Sequence, residues 1–274
     1  MPRNFHDEAT LSTQFVSATD MTAPNTQNCQ RSKVWRSTDG TDQYVRGTFA
    51  DSLARSASFF GFFRHRCHGG TVQLQLYSDA AWTTQVYDSG ALAVINVVPT
   101  DGADWGINPY GSGSIDPFLL DAPYWLYFTP TACLSYQISF AANVSTYGAA
   151  YWQVCRFFLG KYFEAAVNPD YGATLGFVDQ TEVNRSRGGS RRTNVGVSWR
   201  VMQMDLNSIH EDERAAWLDI ARQCGTGRDL VLSLFPEDGT RLERDNIVNA
   251  EFSALNAIGR QVSRLTSHLQ IEEV

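Results

Sequence analysis

The sequence predicts a mainly β protein: an N-terminal jelly-roll-like β-sandwich, then a second β-sandwich or barrel domain carrying one α-helix. Three observations lead there. Short aromatic and β-branched runs recur between Asp-Gly, Gly-Gly and Ser-Asp turn signals. A helical pattern occurs at one place, about 208–224. Aromatic residues make up 12% of the chain and charged residues only 19%, a balance that suits a β-rich recognition or structural protein. At 274 residues the chain has room for two modest domains.

Residues 1–30 are polar, rich in Thr, Asn and Gln, and read as an extended N-terminal arm or edge strand whose order depends on a partner. The first domain is expected over 31–147. Its strands are Lys33–Ser37, Gln43–Ala50, Ala57–Arg66, Val72–Tyr77 and Thr84–Tyr87. Gly69-Gly70 predicts a two-residue hairpin that opposes His65 to Leu74 and turns Arg64, Arg66 and His68 outward with Gln73 and Gln75. A glycine-rich loop, Pro99 to Pro117, carries Trp105 and Tyr110, candidates for a glycan or partner contact because aromatic rings stack on sugars and anchor interfaces. Tyr124–Thr129 and Cys133–Ala141 read as a closing hairpin, turning at Pro130-Thr131.

Small and polar residues at 143–150 mark the expected boundary, with a β-rich assembly domain over 148–274. It opens with a strand pair, Trp152–Leu159 and Tyr162–Val167. Glu182 to Thr193 then reads as a protruding hairpin tip in which Arg185, Arg187, Arg191 and Arg192 are candidate subunit contacts. Along the next strand Val195, Val197, Trp199 and Val201 keep one parity, and Met202, Met204 and Leu206 the other. This predicts a β-bulge near Val201 or Met202. Ser208 and Glu211 have capping-box spacing, Trp217, Ile220, Ala221 and Cys224 form an apolar stripe, and Gly225 sits at a left-handed stop. Leu230 to Phe235 reads as a strand buried on both faces, and Asp245–Ser253 and Leu265–Ile271 as closing strands.

A formal net charge of −7 argues against a nucleic-acid partner, since phosphate binding needs dense Lys and Arg. Met1 to Thr22 has no signal-peptide pattern and no window reaches the length of a membrane span, so neither export nor insertion is expected. The five cysteines lack CxxC spacing and read as reduced, mostly buried thiols. No metal site is expected: His65 and His68 point to opposite sides of a strand pair, and Asp101, Asp104, Asp116 and Asp121 do not match a calcium loop. Glu164, Asp170 and Asp179 are available carboxylates, but no GxSxG, HExxH, P-loop or GxGxxG accompanies them. The chain therefore reads as a non-enzyme without cofactor, with a glycan-degrading activity as the weakest alternative.

Lys33-Val34-Trp35-Arg36-Ser37, Arg64-His65-Arg66, Leu74 to Asp79 and Tyr124 to Phe128 together resemble the N-terminal sandwich of tail proteins from long-tailed bacteriophages, itself similar to carbohydrate-binding jelly rolls. Gly160 to Glu164, Asn168 to Ala173 and Asp229 to Pro236 resemble tail-tip modules of the distal tail protein type. The resemblance implies a structural subunit of a virion tail tip or baseplate, assembled in the host cytoplasm. It also implies a ring homo-oligomer, six copies favoured over three, that connects the tail tube to hub and receptor-binding proteins. It brings no catalytic residues. The alternative is a carbohydrate-binding receptor-recognition module of the tail, with host glycan as partner.

Overall fold

A computed structural model describes residues 4–67, 69–94, 123–141, 151–167, 173–236, 241–253, 259–261 and 264–274. The expectations for Trp105, Tyr110, the acidic loop, His68, the 143–150 boundary and Asp170 lie outside these residues. Among the described residues the fold is mainly antiparallel β, as the sequence predicts. By its contacts the chain forms two units: Arg3–Tyr162 with Ser233–Ile247, and Phe163–Leu232 with Val248–Val274.

The first unit pairs two sheets. One has the order β1 (Ala9–Thr13), β3 (Gln43–Phe49), β9 (Ser135–Ala141), β5 (Thr71–Tyr77), β6 (Gln85–Asp88), with β7 (Leu92–Ala93) also on β5. The other runs β2 (Trp35–Arg36), β10 (Gln153–Gly160), β4 (Arg55–His65), β8 (Tyr124–Cys133). In β3 and β5 burial alternates residue by residue, because one face meets the core and the other meets solvent. β4 and β10 are different. From Ala57 to Phe63 and from Val154 to Gly160 every residue is buried, so these central strands are covered on both faces. Within the core Phe62 of β4 stacks on its cross-strand neighbour Tyr124 of β8 at 4.7 Å, and Phe140 meets Trp152 and Trp35 at 5.4 and 5.5 Å. Burying each such ring contributes roughly 1.5–3 kcal/mol.

Three expected hairpins are not formed, two of them for one reason. β4 and β5 lie in different sheets, as do β8 and β9, so the 66–70 and Leu134 connections cross the sandwich instead of folding a ribbon back on itself. Gly70 belongs to that crossing: a Cβ there would lie 2.3 Å from the Trp152 ring. Arg64, at φ 51°, and Arg66 therefore share no face with Gln73 and Gln75. Pro130 sits in edge strand β8, where the register with β4 shifts between Ala57 and Phe59 and no ladder amide is demanded of it. The third pair fails because Tyr162–Val167 is not a strand. β10 itself belongs to the first unit, which continues to Tyr162 instead of ending at 147.

The N-terminal segment is an edge strand, β1, flanked by short 3-10 turns that pack into the sandwich. The cause is electrostatic. Arg156 lies in the middle of β10, is 3% exposed, and needs an anion. Asp7 supplies it in a two-pronged pair at 2.5 and 3.0 Å, and the Thr26 carbonyl accepts a further bond at 3.2 Å. Asn4 completes the latch: its side-chain amide accepts from the Leu159 amide and donates to the Phe157 carbonyl, both at 3.0 Å, as a neighbouring strand would. His6 then enters the core, bonded to the Tyr136 hydroxyl and, at 2.9 Å, to Thr26.

In the second unit one sheet has the order β11 (Thr174–Asp179), β14 (Ser198–Ile209), β18 (Arg264–Glu273), β16 (Ile247–Phe252), β15 (Leu230–Ser233), with β17 (Gly259–Gln261) on β18. β15 is thus an edge strand rather than one buried on both faces, and its last three residues are only half-buried. Helix α1 (Arg214–Cys224) ends at Gly225, φ 56°, as expected. Its start is not the Ser208 capping box: a 3-10 turn, Glu211–Glu213, leads into it, and neither N-cap makes a side-chain bond. A further helix, α2 (Arg241–Asn246), absent from the sequence expectations, belongs to the first unit. Its Glu243 is buried and accepts from the Tyr127 hydroxyl at 3.0 Å.

Two predictions follow from the latch. Asp7→Ala leaves Arg156 buried without its counter-charge, and should cost the first unit about 3 kcal/mol in urea unfolding; a loss below about 0.5 kcal/mol would show the pair to be idle. Burial, assisted by the Arg156 charge and only partly opposed by the Thr26 bond, holds the His6 imidazole well below its usual 6.5. The folded state therefore binds fewer protons than the unfolded chain below pH 6.5. Stability should fall by up to about 1.4 kcal/mol per unit as pH drops from 6.5 toward 5. His6→Gln should flatten that slope.

Candidate functional site

The arginine segment is a ribbon. β12 (Glu182–Arg185) and β13 (Arg191–Asn194) pair only with each other, and every residue in them is exposed. Its tip is closed by Ser186: the Ser186 carbonyl accepts from the Gly189 amide at 2.9 Å, and its hydroxyl accepts from the Ser190 amide at 3.1 Å. Gly189 holds φ 85°, a conformation that favours glycine. The register places Arg185 directly opposite Arg191 and Arg192 opposite Asn184. Like charges so placed repel each other. Among the described residues none of Arg185, Arg187, Arg191 or Arg192 joins an ion pair. The structure brings Arg185 and Arg191 together across the ribbon and carries Arg187 in the turn.

The ribbon continues the β11–β14 pair outward. Between Asp179↔Ser198 and Glu182↔Asn194, two residues on one strand face three on the other. The bulge therefore falls at Val195–Val197, not near Val201, and β14 runs on in unbroken register with β11 from Ser198 to Gln203. Gly196 makes it possible, since a Cβ would lie 2.4 Å from the Gln180 carbonyl carbon. Gln180 and Thr181 tie the root, the first donating to the Val197 carbonyl and the second accepting from the Gly196 amide, both at 3.1 Å. A further register shift lies between Leu206 and Ile209.

Without a bulge at Val201 the two parities of β14 stay on opposite faces. Met202, Met204 and Leu206 are buried, with Ile271 and Leu269 beside the first two. The other parity is open: Val197 is 56% exposed, and Trp199 and Val201 are half-buried beside Val178 and Gly176. Val195 at 82% stands out at the ribbon's root and Val183 is exposed on β12, while Phe177, 74% exposed on β11, lies opposite Arg200 and so on the other face. Exposed apolar groups gathered around the ribbon and its root mark a contact surface.

A second surface lies on the first unit. One transverse row, Ser12, Arg46, Gln137, Gln75 and Asp88, crosses the solvent face of five consecutive strands. Arg46 Nε donates to Gln137 at 2.6 Å, and Gln137 donates to Gln75 at 3.2 Å and to the Ser139 hydroxyl at 2.8 Å. Gln73 and Gln85 donate to the Asp88 carboxylate at 2.7 and 3.0 Å. Partial burial would raise the Asp88 carboxyl, but bonds from Gln73, the Gly90 amide and Gln85 outweigh it and hold it below the usual range. The Arg46 guanidinium lies over the rings of Tyr44 and Trp82, 4.5 and 5.3 Å from their centroids. Trp82 is held at φ 56° with its indole N–H bonded to the Tyr136 carbonyl at 3.2 Å. Alternation in the sequence put Gln73 and Gln75 outward; Arg46, Gln137, Asp88 and Trp82 join them only through strand order.

Burial pushes the Cys67 thiol far up and Cys133 up to about 12, so neither supplies a thiolate. All five cysteines are free. Among the described residues no group of three or more His, Cys, Asp or Glu side chains could hold a metal ion. Glu164 lies in the non-strand segment after β10, and Asp179 accepts from the Thr181 amide at 2.8 Å in a local turn.

No family model and no curated protein matches the chain. Solved structures similar to it include chitosan-binding module 1 of a chitosanase/glucanase from Paenibacillus sp. IK-5, at 12% identity and TM-score 0.39, covering 57% of this chain and 98% of that one. A CBM32 module from Clostridium perfringens in complex with GalNAc-β-1,3-galactose matches at 9% identity and TM-score 0.38, with 57% and 97% covered. The lectin domain of lectinolysin, complexed with Lewis B antigen, matches at 7% and 0.39, with 59% and 98% covered. Likeness at this level establishes neither a family nor a ligand.

Proposed function

We propose that the chain is a structural subunit that joins copies of itself into a ring, in the tail tip or baseplate of a bacteriophage. The self-association half rests on one observation, the exposed β12–β13 ribbon with its opposed arginines and, at its root, the exposed Val195 and Val197 and the nearby Phe177 of β11. A two-stranded ribbon is marginal alone in water, and exposed apolar groups on it gain most when a partner covers them. The tail-tip half rests on the sequence resemblance, which also supplies the tail tube and hub as neighbours, the virion as location and six copies over three.

A second reading belongs to the first unit and is favoured by the Arg46–Gln137–Gln75–Asp88 row. Amides and a carboxylate offer donors and acceptors to vicinal hydroxyls, and Tyr44 and Trp82 offer ring faces. That combination suits a glycan, and both roles are compatible in one tail protein.

For the ring, light scattering at micromolar concentration should give a multiple of the 30.6 kDa chain. Replacing Phe177 and Val197 by Ser should raise the dissociation constant at least about tenfold, roughly 1.4 kcal/mol, while leaving the melting transition in place. A wild-type chain that stays monomeric contradicts the ring. For the glycan, Trp82→Ala should abolish binding on a glycan array without changing the oligomer, and an array with no hits for the wild type removes that reading.

A further inference from the structure

The second unit carries a surface opposite in charge to the ribbon and alike in geometry. On β16 and β18, Glu251 stands directly opposite Glu272. Register places Val201 beside Glu272, Gln203 beside Gln270, and Asp205 beside His268 on that same face. Asp205 and His268 are exposed and bonded to each other at 2.6 Å, while Glu251 and Glu272 are half-buried. The face thus presents three carboxylates among amides, with His268 the single basic group at those positions. This chain therefore sets two like-charged pairs of opposite sign directly across paired strands: Arg185 with Arg191 on the ribbon, Glu251 with Glu272 on the broad sheet.

We propose that the ribbon of one copy lies across the Glu251–Glu272 face of the next. Facing residues on paired strands hold their Cβ atoms about 5 Å apart on both surfaces, so two guanidinium forks meet two carboxylates in step. Arginine suits this contact because its planar fork engages a carboxylate through two parallel N–H donors. The two surfaces differ, so the contact is head-to-tail: each copy gives its ribbon to one neighbour and its acidic face to another. Such an interface closes into a ring when the rotation per copy permits. The exposed Val195 and Val197 at the ribbon's root add apolar area beside the charges, and apolar Val201 adjoins Glu272 on the receiving face.

This proposal rests on the self-association reading and specifies it. The test uses two full-length variants, Arg185→Glu with Arg191→Glu, and Glu251→Lys with Glu272→Lys, with circular dichroism melts to confirm folding. Each alone should sediment as a monomer at a concentration where the wild type is a ring. Mixed one to one they should assemble again, because the intact ribbon of one variant meets the intact acidic face of the other and the charge-reversed ribbon likewise meets the charge-reversed face. The single substitution Glu272→Gln keeps the shape and should weaken assembly about tenfold, an effect that shrinks in high salt. If the wild type assembles and the Glu251/Glu272 variants assemble equally well, the acidic face is not the receiver and this proposal falls while self-association stands. If the wild type never assembles, both fall.

Discussion

The first unit is organised by a charge in the wrong place. Arg156 occupies the centre of a strand whose other residues from Val154 to Gly160 are buried and almost all apolar, and a guanidinium there is tolerable only with its counter-ion. Asp7 must therefore reach it, which fixes the N-terminal turn against β10. That turn carries His6 into the core and onto the Tyr136 hydroxyl. The Tyr136 ring in turn fills the space beside Gly47, where a Cβ would lie 2.3 Å from it, and its carbonyl anchors the Trp82 indole on the solvent side. A buried ion pair is thus connected, bond by bond, to the aromatic that frames Arg46 on the outer face. Residues that read as an extended arm or an edge strand are tied into the sandwich by these bonds.

The second unit follows the opposite logic. Its sheet has one well-buried face, built from Met202, Met204, Leu206, Leu269 and Ile271, and the ribbon extending from it has no burial at all. The Arg200–Glu273 fork, with both contacts at 2.9 Å, shows how this unit settles a charge internally when a partner lies across the strand pair. Nothing comparable is available to Arg185 and Arg191, which face each other. The contrast between an arginine satisfied across β14 and β18 and a pair opposed across β12 and β13 is what directs attention to a second copy.

The strands and the ribbon were legible because they depend on neighbours in sequence. Alternation gave β3 and β5 nearly residue for residue, the Ser-Arg-Gly-Gly context marked the turn at 186–189, and Gly225 marked the helix end. What was not legible depends on partners far along the chain. Gly69-Gly70 has the composition of a hairpin turn, yet β4 joins β10 and β5 joins β9. Ser208 and Glu211 have capping spacing, but β14 runs on to Ile209 and uses the serine's backbone for the strand. The parity change along β14 reads as a bulge if all apolar residues share one face; here Val197, Trp199 and Val201 lie on the face opposite Met202, Met204 and Leu206 and stay exposed or half-buried. The polar row shared the same obstacle, since its five members come from positions 12 to 137 and meet only through strand order.

The most direct measurement is electron microscopy of the purified full-length chain at micromolar concentration, repeated with residues 183–193 replaced by a short Gly-Ser turn. The account predicts closed rings of one size for the intact chain and dispersed single subunits once the ribbon is gone. Rings that persist without the ribbon would contradict it.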